Sequence, residues 1–323
     1  FNSADNAYLT WTPGSHGDRA EYTFSFWLKR NKFTHSSEHQ FPFSANTGGN
    51  MYFELNTEKF GIKSFGSVDG GTKQVTNQVF RDTNNWYHIV MAVDTDDGTN
   101  TNRVKFYVNG TQADMTVTAW PNQGDHGRIN QSGNAQIIGQ TASGNTGQAF
   151  DGYLAEFHFI DGQQLTPDSF GETDETYGHW KPIEYTGSHG TNGYYLNFAD
   201  SSSLGNDASA NSNHFTPTNL SSSDQSLDTP TNNFCTWNPL TIGSYATLSE
   251  GSLKTVGASS DSGNVISTWG FESGKWYMEV YVQSEGSDYP HVGVSGYRGF
   301  DFPSNQGWSN GGQVGQMPDS VGW

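Results

Sequence analysis

The sequence predicts an all-β fold: one complete antiparallel β-sandwich of the jelly-roll kind, followed by the start of a second. Three observations predict it. Apolar residues alternate with period two in short runs bounded by Gly, Asn, Asp and Ser, the signature of half-buried strands. No stretch carries a convincing amphipathic helical repeat. Aromatic residues make up 14% of the 323 residues and charged ones only 15%, with 39 glycines, which suits packed strands joined by uncharged polar loops and excludes a disordered chain. Many short strands with almost no helix point to a sandwich or jelly roll, and the length favours two domains.

The elements follow in chain order. In Tyr22-Thr23-Phe24-Ser25-Phe26-Trp27-Leu28, residues 22, 24, 26 and 28 share one face. Trp86 to Val93 is more continuously apolar, as expected of a central strand covered on both sides. Val104, Phe106 and Val108 share a face, and Asn109-Gly110 is a strong turn signal behind them. Tyr153, Ala155, Phe157 and Phe159 are expected on one face, with Glu156 and His158 opposite. Tyr194-Tyr195-Leu196-Asn197-Phe198 reads as a late strand closing the first sandwich, so that domain is expected over residues 1–200. Residues 201–234 are rich in Ser, Asn, Asp and Thr and read as a loop-rich connector, with Leu204, Phe215 and Leu220 as possible anchors. Strand patterning resumes near Tyr245 and is clear at Lys275-Trp276-Tyr277-Met278-Glu279-Val280-Tyr281-Val282, giving a second sandwich over residues 235–323. Because the chain begins at Phe1 and stops at Trp323 inside a strand pattern, we expect a piece of a longer polypeptide, with the second sandwich incomplete.

The net charge of −18 argues against nucleic acid and anionic membrane surfaces as partners, since phosphate binding needs clustered Lys and Arg. Cys235 is the only cysteine, so no intrachain disulfide can form. No apolar run approaches the ~18 residues of a membrane helix.

Residues 1–200 resemble the laminin-G-like, concanavalin-A-like lectin/glucanase superfamily. The resemblance rests on Tyr22 through Arg30, on Trp86-Tyr87-His88-Ile89-Val90, and on Val104-Lys105-Phe106-Tyr107-Val108-Asn109-Gly110. Ile137-Ile138-Gly139-Gln140 and Phe150-Asp151-Gly152-Tyr153-Leu154-Ala155-Glu156-Phe157 complete it. From Cys235 onward the chain resembles a SPRY-type domain, through Gly274-Lys275-Trp276-Tyr277-Met278-Glu279-Val280 and His291-Val292-Gly293-Val294. The phrase Asp228-Thr229-Pro230-Thr231-Asn232-Asn233-Phe234, with Trp237-Asn238-Pro239-Leu240, is similar to one in structural proteins of marine tailed bacteriophages that join these two modules. That resemblance implies an extracellular virion protein, a tail fibre or capsid decoration.

Because the resembling superfamily includes glucanases, glycoside hydrolysis comes first. Those enzymes carry Glu-x-Asp-x-(x)-Glu on a strand, and Glu54-Leu55-Asn56-Thr57-Glu58 is the nearest match. On an unbulged strand Glu54 and Glu58 would lie roughly 13 Å apart. Retaining enzymes need ~5–5.5 Å and inverting ones ~6.5–9.5 Å. The central acid is also replaced by Asn56. Glu172-Thr173-Asp174-Glu175 lies in a loop-like context, so no catalytic residue is assigned and the protein is expected not to be an enzyme.

Asp94-Thr95-Asp96-Asp97-Gly98 resembles part of an EF-hand loop but lacks the terminal Glu and flanking helices. Asp94, Asp96 and Asp97 are candidate Ca²⁺ ligands; the alternative is a solvated hairpin turn. His16 and His189 recur in Gly-Ser-His-Gly loops, none with zinc spacing, and no Gly-x-Ser-x-Gly elbow occurs. Glycan binding stacks the apolar face of a sugar on an aromatic ring while polar groups bond its hydroxyls. Trp120, Asn122, Asp125 and Trp180 are the candidates for that role, with Tyr194-Tyr195 behind them; the alternative for each aromatic is core packing.

The leading expectation is a non-catalytic viral adhesion or decoration protein that binds host-surface glycans. It would sit among other virion proteins as a homo-oligomer, such as a trimer, whose repetition supplies avidity. A purely structural spacer and a polysaccharide-degrading glycoside hydrolase are the alternatives.

Overall fold

The alternating runs become strands of two facing antiparallel sheets. The computed structural model describes residues 1–33, 39–45, 48–54, 56–63, 73–141, 148–243, 245–257, 263–284, 291–295 and 320–322. They fall into two units, Phe1–Phe234 and Cys235–Trp323.

In the first unit the strands are β1 (Tyr8–Trp11), β2 (Glu21–Arg30), β3 (Gln40–Ala45), β4 (Asn50–Phe53), β5 (Lys59–Lys63), β6 (Lys73–Val79), β7 (Tyr87–Asp94) and β8 (Val104–Val108). They continue as β9 (Thr111–Gln112), β10 (Met115–Ala119), β11 (Gln136–Ile138), β12 (Gly152–Asp161), β13 (Gly171–Thr173), β14 (Trp180–Pro182), β15 (Tyr194–Leu196) and β16 (Thr216–Thr218). One sheet runs β10-β6-β5-β4-β3-β11-β1-β16; the other runs β15-β12-β2-β7-β8-β9. The all-β sandwich expected from the alternation is therefore present. Asn109 (φ 48°) and Gly110 (φ 79°) form the tight two-residue turn between β8 and β9.

The core lies between the sheets. From the six-stranded side come Tyr22, Phe24, Phe26 and Leu28, with Ile89, Met91, Val93, Val104, Phe106 and Val108. Phe43, Met51, Phe53, Phe60 and Ile62 meet them from the other side. Phe24 and Phe43 have ring centroids 4.6 Å apart across the interface.

One expected face is corrected. On β12 the inward residues are Leu154, Phe157 and Phe159, not Tyr153 and Ala155. The pairing of β12 with β2 shifts between Ala155 and His158, and Glu156 sits at φ 48°. This extra residue is a β-bulge, and it inverts the parity of every side chain before it. Tyr153 is thereby carried to the outer face, where its ring lies 6.2 Å from that of Trp86.

The outer face of the six-stranded sheet is also covered, as the continuous apolar run of β7 anticipates. Val90, Ile160 and Phe170 form a second buried cluster with Leu165, Tyr107 and Tyr185 around it. The cover is the excursion between β12 and β15, which contains the β13–β14 hairpin.

The Ser- and Asn-rich stretch 201–234 folds onto the same unit. Leu204 and Phe215 are buried, and β16 pairs with β1. The fully buried Lys29 ammonium donates to Asp228 Oδ2 (2.8 Å), Asn233 Oδ1 (2.8 Å) and the Phe234 carbonyl (2.9 Å). Trp86 Nε1 donates to Asp228 Oδ1 at 2.8 Å. The compact unit thus runs to Phe234 and takes in the stretch expected as a connector.

In the second unit β17 (Ala246–Ser249) pairs with β18 (Lys254–Gly257), and β19 (Gly293–Ser295) with β20 (Ser320–Gly322). The strand expected at 275–282 has no ladder partner among the described residues, and Trp276, Tyr277 and Tyr281 are exposed. Residues 296–319, which carry much of the expected second sandwich and its Gly-rich 307–315 run, lie outside the described residues.

Arg30, neighbour of Lys29 in β2, points the other way, into the sandwich. Its Nη1 donates to Glu58 Oε2 (2.7 Å) and to the Phe80 carbonyl (2.8 Å), and its guanidinium lies 4.0 Å from the Phe53 ring centroid. Removing one partner of a buried pair strands the other charge. Glu58→Ala should therefore cost about 3–5 kcal/mol of stability. Urea denaturation would measure it; a loss below about 1 kcal/mol, the level of an exposed pair, would show that the pair is not structural.

Candidate functional site

The hydrolase candidates are tied up. Glu54 and residues 56–58 lie between β4 and β5 outside any strand, rather than in the extended strand expected, with Asn56 (φ 62°) and Glu58 (φ 56°) in the left-handed region; Leu55 lies outside the described residues. Glu58 is locked to Arg30, and Glu54 accepts from Thr57 Oγ1 (2.9 Å) and lies 3.7 Å from Lys73 Nζ. Glu172 and Asp174 flank Lys181 at 3.3 and 3.0 Å, bracing the β13–β14 hairpin.

Two candidate loops meet at one end of the sandwich. Thr95 Oγ1 donates to the Asp125 carbonyl (2.8 Å), Gly124 N to the Thr95 carbonyl (2.9 Å) and Gln123 Nε2 to the Asp96 carbonyl (2.9 Å). The rim therefore brings the Asp94, Asp96, Asp97 set beside Trp120, Asn122 and Asp125. Three of these four carboxylates accept from their own turns. Asp94 Oδ1 accepts from Asp96 N, Asp97 Oδ1 from Thr99 N, and Asp125 Oδ2 from Asn122 N. Among the described residues no group of three or more His, Cys, Asp or Glu is arranged to hold a metal ion, so the Ca²⁺ expectation finds no assembled cage. Asn122 is exposed, whereas Trp120 is half-buried against the core and lines a slot of about 190 Å³ with Phe106, Met115 and Val117.

Trp180 is not part of this rim. Its ring closes over Gly110, at the other end of β8, and over Gly171; a Cβ at either glycine would fall within 2.7 Å of the indole. Its Nε1 donates to His88 Nδ1 at 2.9 Å. Because an indole N–H only donates, His88 Nδ1 accepts, and Nε2 carries the ring proton. That Nε2 donates to Ser25 Oγ at 2.8 Å. The buried Ser–His pair is thus in the wrong tautomer to take a proton from Ser25. Burial also pushes the His88 pKa down to about 3.

Sequence reasoning missed a larger feature beside this row. An open groove of about 510 Å³ lies on the outer face, lined by Glu156, Glu184, Tyr185, His189, Tyr195 and Ser209 among others. The Glu156 bulge supplies its floor. Tyr195 donates its hydroxyl to Glu156 Oε2 and stacks on His158 at 4.1 Å. His158 Nδ1 is 3.2 Å from His189 Nε2. Burial holds the His158 and His189 pKa values below the ordinary histidine value, and it raises that of Glu156. The 4.0 Å approach of His158 to Glu156 is consequently a contact of a neutral ring, not an ion pair. Tyr185 stacks on Phe170 at 5.0 Å. The Tyr pair and His189 were visible in the sequence; the bulge that brings Glu156 to them has no local signature.

The two facing antiparallel sheets with loop-built rims place the first unit in the all-β class of jelly-roll sandwiches. The profile of the concanavalin A-like lectin/glucanases superfamily matches residues 2–169, and the chain belongs to that superfamily. No curated protein matches it. Among solved structures it is similar to a heptameric SAP-like pentraxin from Limulus polyphemus, at 18% identity and TM-score 0.36 over 50% of this chain and 71% of that one. It is also similar to botulinum neurotoxin type C, whose cell entry depends on two ganglioside molecules, at 14% identity and TM-score 0.29 over 47% of this chain and 34% of that one. The botulinum neurotoxin DC binding domain in complex with SialylT matches at 10% identity and TM-score 0.30, over 46% and 34%. The chain thus spans about a third of the length of those toxin chains.

A depressed histidine pKa favours the neutral ring in the folded state. The stability it contributes is complete above the unfolded value of 6.5 and is lost as pH falls toward about 3. Nitrogen-15 NMR should show His88 neutral, with the proton on Nε2, at pH 5; a ring titrating near 6.5 would contradict the buried Ser25–His88–Trp180 chain.

Proposed function

We propose that the first unit is a non-catalytic carbohydrate-binding module of an extracellular virion protein, a tail fibre or capsid decoration. The observation that carries the carbohydrate reading is the open groove of about 510 Å³, in which aromatic rings and hydrogen-bonding side chains converge. That volume falls within the ~300–1,000 Å³ of small-molecule sites, and its mixed lining suits a ligand with apolar faces and many hydroxyls. Membership of a superfamily of lectins and glucanases supports it. The non-catalytic part is supported by Glu58 being held by Arg30 and by Glu172 and Asp174 both being held by Lys181. The virion setting rests on the sequence resemblance of residues 228–240 and on the acidic surface, which disfavours nucleic acid as a partner. Repetition on a homo-oligomer would turn weak single sites into useful avidity.

A spacer role is the second reading. Trp180, with its N–H bonded to His88, and Trp120, packed on the core, are two aromatics engaged in holding the fold.

A glycan array probed with the assembled oligomer separates them. Binding to a defined set of glycans is the expected result, with no release of sugar from those glycans. No binding would leave the spacer reading, and polysaccharide cleavage lost in Glu54→Gln would overturn the non-catalytic one.

A further inference from the structure

We infer that the outer groove over the Glu156 bulge, rather than the Trp120 rim, contacts the sugar, and that it selects uncharged sugars against those bearing carboxylate or sulfate. The inference rests on the carbohydrate-binding reading above and names the site and ligand class for it.

Glu156 is held in a backbone conformation that non-glycine residues adopt rarely, at φ 48°. Such strain persists only where the surroundings impose it, and bulges serve to re-aim a side chain. Here the side chain is aimed into the groove. One oxygen accepts the Tyr195 hydroxyl; among the described residues Oε1 accepts from no donor. A sugar hydroxyl can donate to it. The groove's two tyrosine rings are braced from behind, Tyr195 by His158 at 4.1 Å and Tyr185 by Phe170 at 5.0 Å. Rings locked by packing offer a platform whose ordering is already complete before the ligand arrives.

Charge sets the selectivity. The lining carries two carboxylates, Glu156 and Glu184, and among the described lining residues no Lys or Arg. The nearby Lys181 is engaged by Glu172 and Asp174. His189, the remaining basic group, is kept neutral near pH 7 by burial. An anionic sugar would bring like charge against like with nothing to answer it, whereas a neutral sugar needs only acceptors and ring faces. The rim offers less. Asp94, Asp97 and Asp125 already accept from their own turns, and the indole of Trp120 packs inward.

The test is titration calorimetry on the full chain with neutral hexose oligosaccharides and their uronic-acid counterparts. The neutral series should bind at least tenfold more tightly. Tyr185→Ala should weaken neutral binding at least tenfold, and Tyr185→Phe should retain most of it, which separates loss of the ring from misfolding. Glu156→Gln should narrow the neutral-over-acidic ratio by about the tenfold that one unscreened charge of ~1.4 kcal/mol represents. Asn122→Ala, on the exposed rim, should leave both series unchanged. Loss of binding in Asn122→Ala with Tyr185→Ala intact would overturn the groove and leave the carbohydrate reading standing. Preference for the acidic series would overturn the selectivity. Binding of no sugar would overturn the carbohydrate reading itself.

Discussion

The first unit depends on a lysine taken wholly out of water. Lys29 is fully buried, and a buried ammonium is stable only when charge and hydrogen bonds replace its hydration. Asp228, Asn233 and the Phe234 carbonyl supply that replacement from about 200 residues further on, and Trp86 fixes the second oxygen of Asp228. The segment ending at Phe234 is therefore not free to leave the sheet without stranding a charge. The same segment contributes Thr231, and the stretch before it contributes Ala208 and Ser209, to the lining of the outer groove. The latch segment thus also borders the candidate site.

Strand β2 concentrates this logic in two residues. Successive side chains on a strand face opposite ways, so Lys29 and Arg30 enter opposite layers. Arg30 goes into the aromatic core and is answered by Glu58; Lys29 goes to the outer layer and is answered by Asp228. Both cations are fully buried. The sandwich is thereby pinned on both sides of one strand, and the carboxylate that resembled a catalytic acid is the inner pin.

The alternation rule carried most of the fold. It placed residues 22, 24, 26 and 28 and residues 104, 106 and 108 inward, and the Asn109-Gly110 signal gave the turn, because each depends only on near neighbours along the chain. What it could not carry depends on partners distant in sequence. The Glu156 bulge shows only in the register of β12 against β2, so the faces of Tyr153 and Ala155 came out inverted. Residues 54–58 looked like a strand because three polar residues alternated, while the positive φ of Asn56 and Glu58 has no required glycine to announce it. Polar composition at 201–234 suggested a loop-rich connector; Leu204 and Phe215 were legible as its anchors, whereas the β16–β1 pairing and the bond from Asp228 to the distant Lys29 were not. At the site, Trp120 and Trp180 were legible as aromatics in loops; that both face protein rather than solvent depends on the core beneath the first and on His88 and two glycines beneath the second.

The sandwich is not finished until Asp228 closes over Lys29. Scanning calorimetry of fragments 1–200 and 1–234 tests it most directly. Fragment 1–234 should show one cooperative transition, and 1–200 either none or one at a far lower temperature. Equal transition temperatures for the two fragments would contradict it.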